Sequence, residues 1–248
     1  MTRPTPNGPE PTGGRGPAGL RISLLGRFEL NDAQGAQVPV AAGTQRLLAL
    51  LALRGRIVHR TSVAGALWPD VSDRHALASL RSTLLRIPRA ARRAVAVTDV
   101  DLAIADGVLV DYRDAQALAH RLLADGDQRD EDLVSDSIGK LAFDLLPGWN
   151  DEWVAHEAEE WRQLRLHALE ALTNHLVARE RFGDATASAM AAIRAEPLRE
   201  SAHAALIRVH LSESNQSEAR RQYERYQALL QSELGIEPTA RLRELIGL

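Results

Sequence analysis

From Asp111 almost to its end, the chain is patterned as helix. Within that stretch it resembles itself at a spacing of 34 residues: Ala168 falls with Ala202, Leu172 with Leu206, and Ala185 with Ala219. A period of that length is one pair of antiparallel helices, and small residues at matched positions let such pairs approach closely. One pair cannot bury its apolar face alone, so the pattern demands stacking on a neighbour. The expected helices are residues 114–124, 131–143, 151–178, 182–195, 198–212 and 216–234. Pro197 and Pro238 each follow a helix and end a unit, but at a spacing of 41. The repeat is therefore imperfect, and an irregular helical bundle is the competing arrangement.

The chain before Asp111 follows a different pattern. Residues 20–30, LRISLLGRFEL, alternate apolar and polar positions as a strand does, with Gly26 as a bulge. Residues 31–35 form a turn and 37–40 a second short strand. Gly43-Thr44 opens a helix that Thr44 can cap, with Leu47, Leu48, Leu50 and Leu51 as its apolar face and Gly55 at its close. Residues 58–60 are extended. Thr61 or Ser62 then caps a second helix over 63–68, stopped by Pro69. Ser72 or Asp73 caps a third helix ending near Pro88. On it Leu77, Leu80, Leu84 and Ile87 step by 3, 4 and 3 as one buried stripe. The opposite face presents His75, Ala78, Ser79, Ser82 and Arg86, flanked by Arg74 and Arg81. Short strands follow at 94–98, 102–105 and 108–110. The expectation is an α+β domain over residues 20–110, then an all-α domain over 111–248. Residues 1–19 hold five prolines and five glycines and read as a disordered tail.

Charge divides along the same line. Residues 20–98 carry 12 arginines against four acids, while residues 99–248 carry 16 basic residues against 28 acids. The overall net charge of −3 conceals this opposition. A basic module joined to an acidic one points to a polyanionic partner for the first alone. There is no cysteine, so no disulfide, no thiolate metal site and no thiol nucleophile is available. No apolar run approaches the ~18 residues of a membrane helix, and the first residues lack the apolar stretch of a signal peptide. His156-Glu157 lacks the second histidine of a zinc-protease helix, and neither GxSxG nor GxxxxGK[ST] occurs. The expectation is a cytoplasmic, nucleoid-associated protein that is not an enzyme, with no cofactor, no metal and no membrane partner.

Several stretches carry a family resemblance: LRISLLGRFEL (20–30), QRLLALLALRGRIV (45–58), GALWPD (65–70), ALASLRSTLLRI (76–87), LLPGWNDEWV (145–154), RQLRLHALEAL (162–172), AEPLRESAHAALIRVH (195–210) and ARRQYERYQALLQSELGIEPTARL (219–242). In this order they resemble the streptomycete antibiotic regulatory proteins. Those join a winged helix-turn-helix, of the type found in OmpR/PhoB-like response regulators, to a tetratricopeptide-like bacterial transcriptional activation domain. The resemblance implies a DNA-binding transcriptional activator of an antibiotic or other secondary-metabolite operon, with ties to phosphorelay signal transduction. It implies promoter DNA and RNA polymerase as partners and a homodimer on promoter repeats. Two departures are visible. Relatives place glycine or a basic residue at the wing turn, whereas here it reads Thr98-Asp99-Val100-Asp101. Larger relatives continue into an ATPase domain, and a short regulator without ATPase control is expected.

The resemblance places the third helix in the major groove. Arg74, His75, Ser79, Arg81, Ser82 and Arg86 are then the groove-facing side chains, arginine being able to pair bidentately with guanine. A salt bridge to Asp70 or Asp73 is the alternative for Arg81, and a solvated helix end that for Arg86. Thr44, Arg46, Arg60 and Thr61 sit at helix N-termini and are expected on the phosphate backbone, with Arg89, Arg92 and Arg93 adding sequence-independent attraction. No aromatic residue interleaves the basic block, which disfavours single-strand stacking. In the acidic domain Trp149 and Trp153 are a candidate partner patch, with core packing between helix pairs as the alternative. The competing function is a protein-interaction or ligand-sensing regulator with weak or non-specific DNA binding.

Overall fold

The computed structural model describes residues 19–124 and 129–247. The expected tail lies, but for Gly19, outside the described residues. The chain forms two compact units. The first is Glu29–Leu109 together with the residues up to Ile22. The second is the chain from Val110 onward together with Ser23–Phe28.

The first unit is a winged helix-turn-helix. β1 (Arg21–Ser23) and β2 (Glu29–Asn31) are two strands rather than one bulged strand, because Gly26 takes a left-handed φ of 80° between them. Residues 37–40 do not form the expected strand. Only an isolated bridge joins Asn31 to Gln37, and Pro39 offers no N–H to extend it. The Asp32 carboxylate accepts from the N–H groups of Gln34 and Ala36 and closes the turn between them.

α1 (Ala42–Arg54) starts two residues before the expected cap. Thr44 is therefore inside its first turn and buried, and Ala41 takes the cap position without a side-chain bond. Leu47, Leu48, Leu50 and Leu51 are all buried, and Gly55 ends the helix at φ 65°. β3 (Val58–His59) leads into α2 (Arg60–Leu67), three residues earlier than expected. The cap is neither Thr61 nor Ser62: the His59 ring nitrogen accepts from the Thr61 N–H. α3 (Asp73–Arg86) begins after Ser72, and the short α4 (Arg89–Arg92) follows Pro88. β4 (Val95–Val97) and β5 (Asp101–Ile104) make the wing hairpin, with Val95 opposite Ile104 and Val97 opposite Leu102. β3 pairs antiparallel with β5, and β6 (Leu109–Val110) completes a sheet of order β2-β1-β6.

The second unit is helical. Its elements are α5 (Asp111–Leu123), a 3₁₀ turn at Asp130–Asp132, α6 (Ser135–Leu141), α7 (Glu152–Ala178), α8 (Phe182–Ala195), α9 (Glu200–Ser212), α10 (Gln216–Leu234) and α11 (Ala240–Leu245). The single helix expected over 131–143 is interrupted. Asp132 is drawn inside to take both the Nε and Nη2 of Arg121, and the backbone is extended at Val134. α11 was not expected. The six residues matched at the 34-residue spacing are all buried, as close packing of α7–α8 against α9–α10 requires. A polar group is enclosed with them: His203 stacks on Tyr226 at 4.1 Å, bonds the Pro197 carbonyl through Nε2 and meets Gln222 through Nδ1.

Ser23–Phe28 belongs with these helices. The Asp111 carboxylate accepts from the N–H groups of Leu24 and Leu25, and Gly26 donates to the Asp144 carbonyl. Phe28 packs on Trp149, which packs on Trp153, at centroid distances of 6.2 and 6.3 Å. The two tryptophans thus form a half-buried ring cluster and not an open patch. Trp161 is fully buried, and its indole donates to the Phe143 carbonyl.

Candidate nucleic-acid interface

α3 is built to show one face. Ala76, Leu80 and the capping Ile87 are buried, while Leu77 and Leu84 are only half-buried. The packed stripe is therefore narrower than the four-residue pattern suggests, and Ala76 belongs to it. Arg74, His75, Ala78, Arg81, Ser82, Leu85 and Arg86 are exposed. Ser79 is half-buried at the edge of this face.

Among the described residues no carboxylate pairs with Arg74, Arg81 or Arg86. Neither Asp70 nor Asp73 takes Arg81, whose Nε instead donates to the Leu77 carbonyl of its own helix at 3.3 Å. His75 has one ring nitrogen engaged with Ser72 Oγ at 2.8 Å, a bond across the first turn of α3.

The residues expected on the phosphate backbone divide. Thr44 is 2% exposed and cannot reach a phosphate, because the helix begins at Ala42 and turns this side chain inward. Arg46 is half-buried and donates to the Leu67 carbonyl, so it braces α1 against the C-terminal end of α2. Arg60 is half-buried at the start of α2, with its Nε enclosed and unpartnered. Thr61 is exposed, its hydroxyl 2.7 Å from His59 Nδ1. Arg89, Arg92 and Arg93 are exposed beyond α3. Arg92 also donates to the carbonyls of Leu85 and Ile87, which satisfies acceptors left open at the end of α3.

The wing is tightly turned. Thr98 and Asp101 exchange backbone and hydroxyl bonds, and the Arg60 N–H takes the Val100 carbonyl at 2.9 Å. The tip thus lies beside the start of α2. It shows solvent the Asp99 carboxylate and the Val100 side chain, with no cation among its four residues.

Sequence reasoning passed over Leu85. It is 77% exposed, the most exposed of the large hydrophobic side chains among the described residues. A helical projection would have found it: 100° per residue places it seven positions and two turns from Ala78, in the middle of the arginine-bearing face. It was concealed by its neighbour Leu84, which is the packing residue of the pair.

Among the described residues there is no group of three or more side chains suited to holding a metal ion, and no helix long and apolar enough to cross a membrane. Residues 109–247 match the family model of the bacterial transcriptional activator domain. No curated protein matches the chain. Among solved structures the chain is similar to Mycobacterium tuberculosis EmbR, solved in complex with a low affinity phosphopeptide. The TM-score is 0.66 at 22% identity, over 92% of this chain and 64% of that one. The chain thus spans less than two thirds of the length of EmbR.

Proposed function

This chain belongs to the family of the bacterial transcriptional activator domain, and from that premise we propose that it activates transcription by reading promoter DNA through α3. It is a transcriptional activator of the streptomycete antibiotic regulatory type. The observation that supports the DNA reading is the face of α3. Arg74, Arg81 and Arg86 project from a helix whose other side is packed, with no carboxylate among the described residues to neutralise them. Small side chains at Ala78 and Ser82 between them allow the helix close to base edges, where a bidentate arginine–guanine pair discriminates by about 1–3 kcal/mol. Arg89, Arg92 and Arg93 add phosphate attraction that holds register without reading sequence. Thr61 and Arg60 lie at the start of α2, where backbone N–H groups favour a phosphate. The wing, with Asp99 at its tip, is left as a weak contributor.

In this reading the acidic helical unit meets proteins. It contacts RNA polymerase, and two copies of the chain occupy direct repeats head to tail, since direct repeats are not related by a two-fold axis. The protein acts in the cytoplasm, at the nucleoid, on a biosynthetic operon. The test is a fluorescence titration of the full chain with promoter duplexes at about 50 and 200 mM salt. Each neutralised phosphate adds roughly −0.9 to the slope of log K against log salt. A slope of about −3 or steeper, with preference for one sequence over a scrambled duplex, supports the reading. Affinity that is flat with salt defeats it.

A further inference from the structure

Leu85 is exposed where a soluble helix ordinarily shows a polar side chain. It occupies the middle of the face that also bears Arg74, Arg81, Ser82 and Arg86, and it lies roughly 20° around the helix from Ala78 after two turns. The axis of that face therefore reads Ala78, Ser82, Leu85, with guanidinium groups to either side. Its backbone is held: Arg92 donates to the Leu85 carbonyl at 3.2 Å, so the last turn of α3 stays wound where this side chain emerges. Leu84 and Ile87 supply the packing at this end of the helix, which leaves Leu85 without an intramolecular task.

In the major groove one base edge is apolar, the 5-methyl group of thymine. A leucine amid cations on a groove-facing helix matches that group and disfavours the polar edge of cytosine, whose N4 donors it cannot satisfy. We propose that Leu85 determines specificity by packing on a thymine 5-methyl group, with Ala78 giving the clearance that brings the helix close enough. Ala78 and Leu85 are separated by about 10 Å of helix, which corresponds to about three base steps at 3.4 Å each. The thymine lies some three positions from the base nearest Ala78. This rests on the duplex-binding reading above and adds the identity of a base to it.

The experiment uses the full chain and duplexes enriched with it from a random-sequence library. Each thymine of the enriched site is replaced singly by deoxyuridine, which deletes only the methyl group. At one thymine the replacement should weaken binding roughly fourfold, the value of one buried methyl. Leu85→Ala should bind the two duplexes alike at that position while keeping its discrimination elsewhere, and circular dichroism should show it folded. Three results overturn the proposal. Leu85→Ala can retain the full deoxyuridine profile. It can lose affinity only on duplexes with two repeats and not on one, which would make Leu85 a contact between protomers. Or no duplex is enriched by the wild-type chain, which also removes the DNA reading on which the proposal stands.

Discussion

The two units use the same residue, arginine, in opposite ways. In the helical unit many of the guanidinium groups are taken up by carboxylates. Arg121 pairs with Asp132, Arg162 with Glu159 and Glu196, Arg199 with Glu170, Arg181 with Asp184, and the buried Arg165 with Asp144. The pairing holds Glu159 down to about 2 and keeps Asp132 below the usual carboxylate range. In the winged unit Arg74, Arg81, Arg86, Arg89 and Arg93 find no carboxylate among the described residues. Acidic content alone does not explain this, because Asp70, Asp73 and Asp99 lie nearby in sequence and remain apart. Charge satisfied within the fold supports structure. Charge left unsatisfied is available to a partner.

That contrast can be broken in four places. The largest effect is expected at Arg165, whose side chain is 2% exposed and donates to the carbonyls of Leu141 and Ala142 as well as to Asp144. Arg165→Ala should cost about 3 kcal/mol of stability, from a cavity and stranded carbonyls, as read by urea unfolding. At temperatures where the variant stays folded, its DNA affinity should be that of the parent. Next, Arg81→Ala with Arg86→Ala should leave the melting temperature in place, weaken binding to the preferred duplex about 100-fold and relax the preference over a scrambled duplex, with the salt slope changed much less than by loss of a phosphate-contacting arginine. A loss of stability instead would place these arginines with those of the helical unit.

A smaller effect is expected at the wing. Asp99→Lys removes a repulsion and adds a cation at an exposed tip, so low-salt affinity should rise about threefold to tenfold, with a steeper salt slope. An unchanged slope would keep the wing tip away from phosphate. The least effect concerns His203. Burial lowers its pKa below the ordinary 6.5, with the Pro197 carbonyl opposing. The unfolded chain then binds the proton more readily. Stability from the neutral ring is complete above about pH 6.5 and falls as pH drops through that value toward the folded pKa. Denaturant midpoints should decline from pH 7 to pH 5, and His203→Gln should show a shallower decline.

Much of this architecture was legible in the chain. The 34-residue self-match located the packed faces of α7 to α10, because close helix approach demands small residues at set positions. The limits of α8 and α10 followed from periodicity. The starts of α1 and α2 did not, since a histidine and an alanine occupy places where a hydroxyl was expected. The break in the helix expected at 131–143 depends on an ion pair to Arg121, a tertiary fact that no local pattern carries. At the interface, the exposed arginines were readable from the stripe of leucines opposite them. Thr44 was misplaced because a two-residue shift of a helix start turns a side chain from solvent to core. Leu85 was missed because a leucine is by default assigned inward.

The chain enters the helical unit at Ser23, leaves it after Phe28, and returns at Val110. The Leu24 amide must find Asp111, 87 positions further along the chain. On a ribosome adding about 5–20 residues each second, the early segment waits on the order of ten seconds for its first partner. Through that interval Leu24, Leu25 and Phe28 have no home, and a cut or stop placed just after residue 110 would leave them so permanently. A gene split at that point would yield a winged half with a greasy unpaired thread and a helical half lacking six of its residues. The helical unit is therefore begun before most of the winged unit is made and completed only after it.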